Sequence, residues 1–135
     1  MGIRERNIEK KWSGASVLDG NVTVMNGSTL TLSPGTTVDG GDGYWIRVEG
    51  TLHASQTEFY SSQAPLTGGS HGAGLWTGIY ITNKGHAVLN DVTLDNAKTA
   101  VKVEGQLSAN KLTINDAYIG INVIGSADIE SLTAQ

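Results

Sequence analysis

Trp45 and Arg47 stand two residues apart in YWIRVEG, and Tyr80 and Lys102 occupy the matching place in GIYI and AVKV. Apolar residues flank the polar one each time: Ile46-Arg47-Val48, Ile79-Tyr80-Ile81, Val101-Lys102-Val103. A period of two sends the apolar pair to one side of a strand and Arg47, Tyr80 and Lys102 to the other. A Trp ring beside a guanidinium, a phenol and an ammonium can stack on a sugar ring and bond its hydroxyls. The plainer use of the same residues is a solvated face whose Trp covers small neighbours, since Gly78, Ala100 and Gly120 fall level with Trp45. Glycan binding is thus the candidate chemistry. Its contacts would be Trp45, Arg47, Tyr80, Lys102 and, from a nearby loop, His71.

Catalysis has less behind it. Glycoside hydrolysis usually requires two carboxylates facing one groove, and no carboxylate is expected on this strand face. His53, His71 and His86 are expected on different surfaces, so no metal triad and no nucleophile–base pair assembles. Catalytic residues, metal sites and cofactors are therefore all expected to be none. The Asp residues of DGGDG (39–43) offer oxygen ligands, but a single copy supplies too few for Ca²⁺. Residues 1–11 carry +2 (Arg4, Arg6, Lys10, Lys11 against Glu5, Glu9) within a chain of −4, leaving the body at −6. An acidic body is a poor partner for nucleic acid. Cysteine is absent, which removes disulfides and thiolate metal sites. No apolar run reaches the ~18 residues of a membrane span, and MGIRERNIEKKW lacks the apolar core of a secretory signal.

What must position the candidate residues is a repeat. Val92, Leu112 and Leu132 are 20 apart, as are Ala87, Leu107 and Ala127. Val101 and Ile121 keep the same interval. Each period holds three short alternating strands with a glycine turn and an Asn or Glu corner. One such line cannot bury its apolar face alone. Coiled and stacked at about 4.8 Å per turn, three inward faces fill one long core. The expected fold is all-β, a right-handed parallel β-helix of about five coils. Gly27, Gly50, Gly85, Gly105 and Gly125 are expected at one corner, and the rod should be on the order of 24 Å tall. Eighteen glycines against two prolines suit many short strands joined by tight turns.

The chain divides into residues 1–11 and residues 12–135. The first segment has helix-favouring residues, with Ile8 and Trp12 as i,i+4 neighbours, and reads as a cap over the first coil or a tail. Residues 12–135 are the solenoid. From Leu52 to Ala87 the interval is 35 rather than about 20, so an excursion occupies residues 61–75. Loops on a rigid scaffold commonly carry function. The last coil runs to Leu132-Thr133-Ala134-Gln135 without a polar cap, and Leu132 and Ala134 are the candidate assembly contacts between copies of the chain. Glu49, Lys84 and Glu104 should stack as alternating charges across coils. Thr37, Thr93, Thr113 and Thr133 share a column with Glu58; nearby Asp91, Asp95 and Lys111 argue against an ice-binding face.

The run from Trp12, W-x5-L-x-G-N-V-T-V-x-x-G-S-T-L-T-L-x-P-G-T-T-V, followed by I-x-V-x-G-T-L-x-A and W-T-G-I-Y-I, resembles right-handed parallel β-helix repeat domains of bacterial and archaeal surface or secreted proteins, with a pectin-lyase-like shape. The resemblance spans Trp12 to the C-terminus. It implies an extracellular or cell-surface setting and roles in adhesion, scaffolding or polysaccharide chemistry. The leading expectation is a non-enzymatic scaffold module that binds glycan through the first-strand face. One alternative is a self-assembling structural protein resembling the bactofilins, a homo-oligomer joined through the C-terminal coil. Another is a fragment of a polysaccharide lyase or hydrolase.

Overall fold

The computed structural model describes residues 9–18, 20–41, 43–61, 76–117 and 119–134. In chain order the strands are β1 (Glu9–Trp12), β2 (Ala15–Val17), β3 (Val22–Val24), β4 (Thr29–Leu32), β5 (Thr37–Asp39), β6 (Trp45–Val48) and β7 (Thr51–Tyr60). They continue with β8 (Gly78–Ile81), β9 (His86–Asp95), β10 (Thr99–Val103), β11 (Gln106–Asn115), β12 (Ile119–Val123), β13 (Ser126–Ile129) and β14 (Leu132–Ala134). Every pairing between them is parallel. Among the described residues there is no helix. The chain is an all-β parallel solenoid of about five turns.

Three faces run along the rod. The first stacks β3, β6, β8, β10 and β12 as one five-stranded sheet. The second stacks β1, β4, the first halves of β7, β9 and β11, and β13. The third stacks β2, β5, the second halves of the same three strands, and β14. Inward columns follow the alternation read from the sequence. Val22, Ile46, Ile79 and Val101 line up on the first face, and Leu30, Leu52, Ala87 and Leu107 on the second. All eight are essentially shielded from water. Under the third face the filler is aromatic: Phe59 and Trp76 stack with centroids 5.9 Å apart, and the Trp76 indole N–H donates to the Asp95 carbonyl at 2.9 Å.

The corner after the first face shows why period and glycine coincide. A Cβ on Gly50, Gly85, Gly105 or Gly125 would press into backbone carbonyls of the coil beneath. That close approach admits only hydrogen. Gly27 does not share this column. Thr51, His86, Gln106 and Ser126 donate to the carbonyls of Ser28, Gly50, Gly85 and Gly105, so Ser28 holds the place in the first turn. Gly27 is instead the left-handed residue (φ 89°) of a turn closed by Ser28 N–H to Met25 O. The second corner is turned by left-handed Gly14 and Gly35 in the early coils, but by single left-handed residues that are not glycine, Gln56, Asp91 and Lys111, within β7, β9 and β11.

Residues 9–11 depart from the helical expectation. Glu9–Trp12 pairs in parallel with Thr29–Leu32 and starts a further partial coil below the first. The open edge of β4 offers a ladder of hydrogen bonds and a place for Trp12 beside Leu32. Those gains exceed a helix preference of a few tenths of a kcal/mol per residue. Residues 1–8 lie outside the described residues, as does the excursion from residue 62 to residue 75, His71 included. At the other end the core opens: Ile119, Val123, Ile124 and Leu132 are 43%, 45%, 64% and 48% exposed. Among the described residues no strand stacks on β12, β13 or β14 from beyond.

Candidate functional site

The first face carries its outward residues in one column. Thr23 pairs with Arg47, Arg47 with Tyr80, Tyr80 with Lys102 and Lys102 with Asn122. Thus three strands far apart in sequence, β6, β8 and β10, set Arg47, Tyr80 and Lys102 at successive coils. The Arg47 guanidinium lies 5.6 Å from the Tyr80 ring centre and the Lys102 ammonium 5.1 Å from it. A cation on each side of one aromatic ring is attracted by the ring's quadrupole. Trp45 pairs in register with Gly78 and keeps 37% of its surface exposed. Gly78 is required there: its φ is +119° and a Cβ would collide with the Thr99 carbonyl.

Trp45, Arg47, Tyr80 and Lys102 together bound a cleft of about 280 Å³, with Thr77, Gly78, Ile79 and Thr99 completing it. All four expected ligand contacts within the described residues therefore come together. His71 is outside them. Ala100 is level with Gly78 and Trp45, as expected, is fully buried and does not line the cleft. The Thr77 hydroxyl donates to the Gly43 carbonyl at 2.6 Å, which ties β8 to the turn before β6 and steadies the Trp45 side of the cleft.

One expectation about this face is overturned. It does bear carboxylates. Glu49 and Glu104 reach back from the corner: Arg47 Nε to Glu49 Oε2 is 2.9 Å, Lys102 Nζ to Glu104 Oε2 is 3.6 Å, and the Tyr80 hydroxyl donates to Glu104 Oε1 at 2.7 Å. Each glutamate is two residues beyond its cation and the first residue past the end of that strand, so the alternation carried one step into the corner makes the pair. The expected ladder through Lys84 does not form the pairing. Lys84 lies on a longer turn closed by Gly85 N–H to Thr82 O, and stands exposed. The hydrogen bond to Glu104, then burial, then the Glu104 charge hold the Tyr80 phenol above its ordinary range, against a smaller lowering by Arg47. Tyr80 is therefore a neutral hydrogen-bond donor at neutral pH.

The third face holds a second cleft, of about 570 Å³, bounded by Glu58, Tyr60, Asp95, Asn96, Thr113, Asn115 and Asp116. The Asn115 amide donates to Asp95 Oδ1 at 2.8 Å. A hydrogen bond with Asp95, then partial burial, then the Asp95 charge raise the Glu58 carboxyl above its ordinary value. The register gave the signal for this pair: Glu58 is opposite Thr93, which puts Asp95 one pleat further on the same side. On the second face His53 is opposite Val88 and His86 opposite Thr51, so these two histidines share a surface on adjacent coils rather than lying on separate ones. Among the described residues no group of three or more His, Asp or Glu side chains could hold a metal ion. No helix among them is long and apolar enough to cross a membrane.

No protein family model, no curated protein and no solved structure matches the chain. What defines its class is the architecture itself: a parallel β-solenoid with an aromatic cleft on its first face.

Proposed function

We propose that this solenoid is a non-enzymatic scaffold or surface module that binds a glycan along its first face. The observation that supports the reading best is Trp45, an exposed ring on a rigid strand, set over Gly78 at the edge of a cleft floored by Ile79 and flanked by Arg47, Tyr80 and Lys102. An aromatic platform with convergent donors suits a sugar's apolar face and its rim of hydroxyls. The extracellular or cell-surface setting and the likeness to pectin-lyase-shaped repeat domains belong to this proposal. Fluorescence tests it directly. Trp12 and Trp76 are buried at 8% and 0% exposure, so quenching by an added ligand reports mainly on Trp45. Titration with a panel of oligosaccharides should give saturable quenching that Trp45→Ala abolishes while circular dichroism stays unchanged. Saturable binding that survives Trp45→Ala would remove the first face from the proposal.

A second reading, self-association through the last coil, is favoured by the apolar edge that includes Leu132. Ala134 continues that strand at the backbone level. Light scattering across a wide concentration range should then show growing mass that Leu132→Glu suppresses. A mass that stays monomeric at every concentration removes this reading.

A further inference from the structure

We propose that the first-face cleft takes neutral oligosaccharides and rejects uronates and sulfated sugars. The inference rests on the glycan reading above and adds the chemical class of the ligand. Arg47 and Lys102 look, in sequence, like a site for an anion. The structure gives each of them a carboxylate of its own, Glu49 and Glu104, so the four charges sum to zero. Neither glutamate lines the cleft; they stand behind the two cations and fix the local field. An anionic sugar would approach two cations whose charge is already offset by carboxylates, and would gain little from them.

Neutral hydroxyls meet the opposite situation. A hydroxyl both donates and accepts. It can accept from the unengaged N–H groups of the Arg47 guanidinium or the Lys102 ammonium without displacing either glutamate. It can also donate to an acceptor lone pair of the Thr77 hydroxyl, whose own proton is committed to Gly43. Tyr80 is not available to read charge either, because its proton is committed to Glu104. The remaining surface is the Trp45 ring, which favours the C–H face of a pyranose.

The experiment compares gluco-, xylo- and manno-oligosaccharides with oligogalacturonate and a sulfated oligosaccharide of similar length, at low and high salt. The wild-type chain should bind a neutral oligosaccharide with an affinity that shifts less than about twofold between ~20 mM and ~500 mM NaCl, since no net charge is neutralised. Oligogalacturonate should bind at least about tenfold more weakly. Removing both counter-charges, Glu49→Gln with Glu104→Gln, should leave neutral binding largely intact and raise oligogalacturonate affinity about tenfold, in a salt-sensitive way. Tighter, salt-sensitive binding of an anionic oligosaccharide by the wild type would overturn the neutral assignment and leave the glycan reading standing. If no oligosaccharide of either kind quenches Trp45, the glycan reading falls and this inference with it. The wild-type comparison decides the matter even if the double variant folds poorly.

Discussion

The first and third faces are built on the same coils yet arrange charge in opposite ways. On the first face each cation has a carboxylate two residues further along the chain, and the aromatic Tyr80 is held between the cations. On the third face carboxylate meets carboxylate, and no residue bounding the cleft is cationic. The first cleft is aromatic and apolar in its floor; the third is acidic and amide-rich. The contrast teaches that the solenoid dictates where outward side chains stand and leaves their chemistry free. A face becomes a candidate ligand site when its charges are paired and an aromatic surface is left over. It becomes an acidic groove when like groups are stacked without a counter-charge.

The backing of the two faces gives the sharpest break. Phe59 and Trp76 fill the core beneath the third face, whereas Ile79 sits in an aliphatic column beneath the first. Phe59→Ala removes a fully buried ring and half of an aromatic stack, and should cost about 3–5 kcal/mol in urea unfolding. Ile79→Val removes one methylene and should cost only about 0.5–1.5 kcal/mol. Equal losses would mean that the structure collapses around the missing Phe59 ring at little cost, and the difference between the two interiors would disappear.

Tyr80→Phe probes the first face alone. It keeps the ring between Arg47 and Lys102 and deletes the hydrogen bond to Glu104. Glu104 retains Lys102 and partial contact with water, so the loss should be small, about 0.5–1 kcal/mol. Glycan quenching of Trp45 should persist, because the hydroxyl is committed within the protein. A collapse of binding in Tyr80→Phe would show that the hydroxyl turns toward the ligand, and the paired-charge description would fail.

Much of this was legible from residue order. The polar residue between two apolar ones placed Arg47, Tyr80 and Lys102 in one column despite intervals of 33 and 22 residues, and the register repeats that column. Period two alone places Glu49 on the side of Arg47 and Glu104 on the side of Lys102, a shorter route to a pair than the ladder across coils. Three features were harder to see. Gln56, Asp91 and Lys111 turn the second corner in the left-handed region, which glycine normally marks and long side chains seldom do. Glu9–Trp12 pairs as a strand because a neighbouring edge is open, and helix propensity carries no record of that edge. Ser28 stands in the corner column although its four-residue turn, 25–28, has the same length as the turn 82–85 that ends in Gly85.

Glu58→Gln is the finest test of the contrast, and its sign is set by linkage. The folded carboxyl binds its proton more tightly than the ordinary value of 4.5 because Asp95 accepts or shares it. A raised folded value means that this contribution is complete below the unfolded value and is lost as pH rises through the folded one. Once the proton shared with Asp95 is lost, the hydrogen bond gives way to repulsion between the two carboxylates. Glutamine keeps an N–H donor for Asp95 at every pH, so the variant should match the wild type near pH 4 and exceed it near pH 7. Glu58 is exposed, and water screens it, so the gain should be only a few tenths of a kcal/mol. The measurement is the difference in urea midpoint between variant and wild type from pH 4 to pH 7. A difference that grows with pH places the acidic pair in the third-face groove as described. A flat or falling difference would mean that Glu58 and Asp95 turn away from each other in solution, and the two faces would then be electrostatically alike.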